Sequence, residues 1–265
     1  MKKFVTWLWR FTVVLAFIAL VFYYHKSIIR AAYEVYQEYN WRNYPDQGTP
    51  GRVDVPGRYS VHGIDVSRWQ SNVNWNRLTA LDRSGDTISM SFAFIKATEG
   101  ILWEDPAFDD NWKNAGKAGV VRGAYHYFKA NSSATLQAKN FISSVKLKAG
   151  DLPPVVDVEE AGRKSRQELV ASLKIYVAAV EKAYHCKPII YSNVSFIDTY
   201  LADDFSDYQF WIAHYYTAKP KLASKVNWVF WQYHDRAKIS GCRQCVDVNV
   251  FNGSPDEFDA LRIQN

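Results

Sequence analysis

Cysteine is scarce, with three in 265 residues, and their arrangement does not suit a metal. Cys242 and Cys245 stand in C-x-x-C spacing inside GCRQCVD, and Cys186 is alone. No second C-x-x-C and no spaced His pair completes a four-ligand set, which argues against a zinc site. In an oxidising compartment the pair reads as a disulfide pinning a local loop. A thioredoxin-like redox role is disfavoured, because the motif leads into a strand instead of opening a helix. Internal repeats and low-complexity tracts are absent, so neither a solenoid nor a disordered chain is indicated. Charge of one sign is missing from most of the chain as well. Residues 1 to 61 carry Lys2, Lys3, Arg10, Lys26, Arg30, Arg42, Arg52 and Arg58 against Glu34, Glu38, Asp46 and Asp54, which supplies +4 of the +5 net charge. The remainder is near neutral and offers no phosphate-tracking stripe, so nucleic acid is not an expected partner.

What is abundant is ring surface: aromatics make up 16% of the chain, with ten Trp and seventeen Tyr. Such surface suits stacking on sugars, although core packing is the default for any single ring. The length accommodates one barrel-sized catalytic domain plus an appendage. That appendage opens the chain. Lys2, Lys3 and Arg10 precede an unbroken apolar run from Phe11 to Tyr24, and the charge bias puts Met1 in the cytoplasm. Two readings stand. The first is an uncleaved anchor that starts near Phe4 with Arg10 snorkelling; the second is a cleaved signal peptide, although no small-x-small site follows Tyr24. Both put the rest of the chain outside the cytoplasm. Residues 26 to 58 then read as a juxtamembrane helix (Ile28, Ala31, Ala32, Val35, Tyr39) and a Pro/Gly-rich linker, and the domain spans residues 59 to 265.

Within that domain eight β-rich runs recur: YSVHGIDVS, SFAFIKATEG, VVRGAYHYF, PPVVDVEE, KPIIYSN, QFWIAHY, NWVFWQYH and CVDVNVF. The first five begin roughly thirty residues apart and the last three roughly eighteen, so only the earlier gaps hold crossover helices comfortably. Asp105 and Pro106 read as the N-cap and first residue of one helix, ended by Gly119. Ser165 to Glu168 form a capping box before Leu169, Leu173, Tyr176, Val177, Val180 and Tyr184. The alternation predicts an α/β fold, an irregular TIM-like parallel barrel of five β/α units followed by three strands.

In such a barrel, polar groups at the carboxyl ends of strands line the active site. The apolar strand Pro154 to Val156 runs into Asp157, Val158, Glu159 and Glu160. Alternation sets Asp157 and Glu159 on one face, about 6 to 7 Å apart. Glycosidic cleavage needs such a pair, one a proton donor with a raised pKa and the other a carboxylate that stays charged. The negative charge of Asp157 is expected to raise Glu159. Asp65 and Asp247 end two further strand candidates, the first and the eighth, which are neighbours in a closed barrel. Tyr127 and Tyr191 end strands and are candidate substrate contacts. Trp69, Trp211, Trp231 and Tyr233 are candidate stacking surfaces or core. His62, His126 and His214 read as structural, and Lys96 with Glu99 as an ion pair beneath the substrate.

The segments GIDVSRWQ, FIKATEG, RGAYHYF, VVDVEE, PIIYSN, WIAHY, WQY and VDVNVF resemble, in order, glycoside hydrolase family 25, the Chalaropsis-type cell-wall lysozymes. The resemblance implies an N-acetylmuramidase acting on peptidoglycan glycan strands without a cofactor or metal, with a monomeric catalytic domain. Glu159 would be the acid of the Asp-x-Glu motif, with Asp157, Asp65 and Asp247 as the remaining site carboxylates. Taken with the reading of strand ends and rings, the expected site is Asp65, Asp157 and Glu159 as catalytic residues and Tyr127, Tyr191, Trp231 and Asp247 as substrate-binding ones. The nucleophile is either Asp157 or the substrate's own 2-acetamido group. The C-x-x-C pair and the N-terminal segment gain nothing from the resemblance. A chitinase-like barrel is disfavoured because Val155 occupies the position of its additional Asp. A wall-binding or scaffolding protein on the same barrel would lack one of the acids, and none is missing.

Overall fold

The computed structural model describes residue 14 and residues 56 to 264 apart from 57, 71, 83, 84 and 218. The chain divides into two compact units, residues 1 to 49 and 50 to 265, and the description that follows is of the second. The apolar run from Phe11 to Tyr24, the helix expected near Ile28 and nearly all of the linker lie outside the described residues. Among the described residues no helix is long and apolar enough to cross a membrane.

Among the described residues ten strands form, β1 (His62–Val66), β2 (Thr79–Leu81), β3 (Thr87–Glu99), β4 (Trp103–Glu104), β5 (Val121–Tyr127), β6 (Val155–Asp157), β7 (Ile189–Asn193), β8 (Gln209–Ala213), β9 (Asn227–Ala237) and β10 (Val246–Phe251). Eight of them close into a barrel, with neighbours β1, β3, β5, β6, β7, β8, β9 and β10, and β10 returning to β1. All eight occur where the sequence places strands. One expectation changes: the barrel is not wholly parallel, because β10 runs antiparallel to both β9 and β1. Only residues 238 to 245 separate β9 from β10, too few for a crossover, so the chain reverses in a hairpin. The short β2 and β4, absent from the sequence reading, pair antiparallel with β3 outside the barrel circuit.

The crossovers carry α1 (Phe108–Lys117), α2 (Ala134–Ser144), α3 (Arg166–Tyr184) and a short α4 (Val194–Phe196) that continues into a π-helical turn. After β1 the crossover is a 3-10 turn and β2. The capping box forms at α3, with Ser165 and Glu168 bonded reciprocally, and Leu169, Leu173, Tyr176, Val177 and Val180 are buried. Gly119 takes φ 77° just beyond α1, a backbone that glycine adopts without strain. The N-terminus of α1 departs from expectation. Its cap position is Ala107, and Asp105 instead accepts from the amides of Ala107 at 2.9 Å and Arg68 at 3.0 Å. That acid ties two loops together at the barrel mouth.

Two cores result from strand alternation. Outward residues such as Ile64, Val156, Val158, Ile190 and Trp231 pack in the layer that includes the helices. Inward residues fill the barrel with rings. The lower end is closed by α5 (Pro255–Leu261), whose Phe258 lies 5.5 Å from Phe92 and 5.3 Å from Phe251. Above it Phe94 stacks on Trp211 at 4.4 Å. Gly63 and Gly123 make room for this filling: a Cβ at either would lie 2.5 Å and 2.4 Å from the rings of Phe92 and Phe94.

Candidate active site

Above the rings, at the carboxyl ends of the parallel strands, opens a cleft of about 400 Å³. Asp65, Asp157, Glu159 and Asp247 line it together, with Tyr125, Tyr127, Lys96, Glu99, Asp105, Trp103 and the turn from Ser67 to Gln70. Register explains the convergence. Asp65 on β1 stands opposite Asp247 on β10, and Asp157 on β6 is flanked by Tyr127 on β5 and Tyr191 on β7. Because β6 ends at Asp157, its inward parity carries on to Glu159 while Val158 turns into the outer core.

The four acids stand in two neighbouring pairs, Asp157 with Glu159 and Asp65 with Asp247, and within each pair the two groups influence each other's titration. Burial is the main cause that pushes all four above the ordinary carboxylate range, to about 6 for Asp65 and well above the usual value for Asp157 and Asp247. The expected influence of Asp157 on Glu159 is reversed. Burial raises Glu159 and the charge of Glu160 adds to this, whereas the hydrogen bond with Asp157 holds it down. The tip of Glu159 reaches solvent, but protein surrounds it closely enough to deplete its hydration. Asp157 is buried, and its Oδ1 receives no hydrogen bond among the described residues.

Asp65 is fixed more firmly. Its Oδ2 accepts from Gln232 Nε2 at 2.7 Å and Asn249 Nδ2 at 2.8 Å. Those amides are oriented in turn: Tyr191 and Tyr215 donate to Gln232 Oε1 at 2.6 and 2.7 Å, and Trp211 donates to Asn249 Oδ1 at 2.8 Å. The network leaves the amide donors no alternative but the acids. On the opposite wall Lys96 and Lys129 bond Glu99 at 2.6 and 3.0 Å, and both ammonium groups lie over the Tyr127 ring. Burial alone would raise Glu99, but these two cations outweigh it and hold the group below its usual value.

Of the residues singled out in the sequence, Asp65, Asp157, Glu159, Asp247 and Tyr127 come together in the cleft. Tyr191 sits beneath it as a donor to Gln232. Trp231 lies elsewhere: fully buried on the outer face of β9, it donates its indole N–H to the His214 carbonyl at 2.8 Å. Its neighbour Gln232 faces the acids, as alternation along NWVFWQYH requires. Gln232, Asn249 and Tyr125 were missed, and for all three the signal was inward parity next to a recognised residue. His62 and His126 are buried in structural hydrogen bonds, with Tyr59 O at 2.9 Å and with Thr98 and Gln137 at 2.7 and 3.2 Å. The expected disulfide is absent, for Cys242 and Cys245 are free thiols. Backbone bonds from Asn74 to Gly241 and from Ser240 to Thr79 pin that loop instead.

Comparison with known proteins agrees with this geometry. Residues 64 to 242 match the family model "Glycosyl hydrolases family 25". The chain is 44% identical over 209 residues to YegX of Escherichia coli K12, an uncharacterised protein, covering 79% of this chain and 76% of that one. It is 35% identical to lysozyme M1 of Streptomyces globisporus, covering 82% and 75%. A family 25 glycosyl hydrolase from Bacillus anthracis superposes with a TM-score of 0.70 at 32% identity, covering 82% of this chain and 99% of that one. The chain belongs to glycosyl hydrolases family 25 and is a glycoside hydrolase.

Proposed function

We propose that the protein is a lysozyme, an N-acetylmuramidase that hydrolyses the β-1,4 bond between N-acetylmuramic acid and N-acetylglucosamine in peptidoglycan. The observation that carries the reading is the Asp157 and Glu159 pair, two neighbouring carboxyls raised chiefly by burial that line one cleft open enough for a glycan strand. Glu159 is the general acid, protonating the glycosidic oxygen and later activating water. Its access to solvent suits the second step, and its raised pKa the first. Asp157 orients the reacting centre. Its buried Oδ1 offers an acceptor for an acetamido N–H, which favours assistance by the substrate's own carbonyl oxygen; a covalent glycosyl-Asp157 intermediate is the other route. Asp65 and Asp247, backed by Gln232 and Asn249, stabilise positive charge developing on the sugar ring. The apolar run behind Lys2, Lys3 and Arg10 supports a barrel held outside the cytoplasm on a membrane tether.

The test is digestion of purified peptidoglycan with the full chain, followed by identification of the new reducing ends. Muramic acid ends are expected. Glucosamine ends would make the protein a glucosaminidase, and no new ends, with binding retained, would point to a wall-binding protein on the same barrel.

A further inference from the structure

One cation at the cleft does not fit the pattern of the others. Lys96 and Lys129 are both ion-paired to Glu99, whereas Arg68, which also lines the cleft, makes no ion pair among the described residues. Its guanidinium lies 4.6 Å from the centroid of Trp69 and 5.3 Å from that of Trp103. Guanidinium groups on ring faces keep their in-plane N–H donors available, and a planar fork of donors matches a carboxylate. The position is built rather than incidental. The Arg68 amide donates to buried Asp105 at 3.0 Å, the Ser67 amide to Gln70 Oε1 at 3.1 Å, and the Gln70 amide returns to the Ser67 carbonyl at 2.9 Å. The turn therefore rests on backbone and on side chains other than Arg68, which stays exposed beside Trp69, itself 69% exposed.

The floor of the cleft is acidic, so an anionic substrate needs a cation at the rim, away from Asp157 and Glu159. We infer that Arg68, held between Trp69 and Trp103, is a carboxylate-binding subsite that reads the acid borne by the muramic acid side of the glycan. This rests on the peptidoglycan reading above. That acid has two sources: the lactyl carboxylate of an unsubstituted muramic acid, or carboxylates of the stem peptide when the lactyl group is amidated. Both present the same chemistry to the fork.

The experiment measures KM and kcat for the full chain and for Arg68→Gln and Arg68→Lys on three substrates: intact peptidoglycan, strands stripped of stem peptides, and stripped strands whose lactyl carboxyls have been amidated. With Arg68→Gln, KM on a carboxylate-bearing substrate is expected to rise about tenfold, the size of one exposed charge-assisted contact, with kcat nearly unchanged. Arg68→Lys should fall between, keeping the charge but not the fork. On amidated strands the three proteins should be equal. A rise confined to intact peptidoglycan identifies the stem as the source; a rise confined to stripped strands identifies the lactyl group. Equal KM values on all three substrates, or the same rise on amidated strands, would overturn the subsite. An unsubstituted chain inactive on all three would instead overturn the lysozyme reading.

Discussion

Glu159 and Asp157 are neighbouring acids with different surroundings, and those surroundings separate their roles. Glu159 meets solvent at its tip, whereas Asp157 is buried with one oxygen free of hydrogen bonds. Glu159→Gln keeps shape and removes the proton, so turnover on peptidoglycan should fall by about 10² to 10⁴. Asp157→Asn puts a donor where an acceptor is needed and should cost at least about 10². Near-parental turnover in either variant would remove that residue from the mechanism. A second contrast lies one position apart on β9. Trp231 is packed outward, and Trp231→Phe should leave KM and kcat within about twofold while lowering stability by roughly 1 kcal/mol for the lost indole hydrogen bond. Gln232→Ala should do the reverse to activity, because Tyr191, Tyr215 and Asp65 all bond through that amide. Steady-state kinetics with thermal melts would separate the two.

Elements that alternate cleanly were the most legible in the sequence. All eight barrel strands, the capping box of α3 and the shared face of Asp157 and Glu159 follow from period and cap chemistry, which are local. The direction of β10 and the existence of β2 and β4 were not legible, because pairing is a tertiary choice and a three-residue strand has no periodicity to read. Trp231 fails as a site residue for a related reason: its ring chemistry suggests a sugar contact, but strand parity decides which way it points. Asp105 shows the same competition, with a good capping residue drawn instead to the Arg68 amide. The glycines inside β1 and β5 have a clear consequence at this scale. Gly63→Ala would set a methyl 2.5 Å from the Phe92 ring and backbone, which cannot both retreat. Overpacking of this kind costs about 1 to 3 kcal/mol, and a melting temperature lower by about 2 to 4 °C per kcal/mol is expected for a domain of this size. An unchanged melt would mean that the barrel filling is looser than the ring contacts imply.

At the scale of the whole molecule, a ring-filled barrel holds four carboxyls at one end, and the arrangement favours chemistry over stability. Asp65 makes this measurable. Its folded pKa is about 6 against an ordinary value of 3.8, with burial as the principal cause. A group raised on folding contributes its full stability below the unfolded pKa and loses it as pH climbs through the folded one. Asp65 therefore weakens the fold progressively between about pH 4 and pH 6, by an amount on the order of 3 kcal/mol at neutrality. His126 works in the opposite sense. Burial lowers it from 6.5 to about 4, so its contribution is present above the higher value and lost as pH falls through the lower. The two slopes overlap in the parent protein, which makes its own melting curve against pH uninformative. The difference between parent and Asp65→Asn is informative, because His126 is common to both and cancels. That difference should move in favour of the variant from pH 4 to pH 7 by several degrees, at about 2 to 4 °C per kcal/mol. Relief of Asp247, whose own pKa the Asp65 charge helps to raise, acts in the same direction. A constant offset added to that trend, of either sign, would reflect only how well the introduced amide satisfies Gln232 and Asn249. A flat difference across that range would mean that Asp65 is not held as a strained acid, and its place in the catalytic group would lose its physical basis.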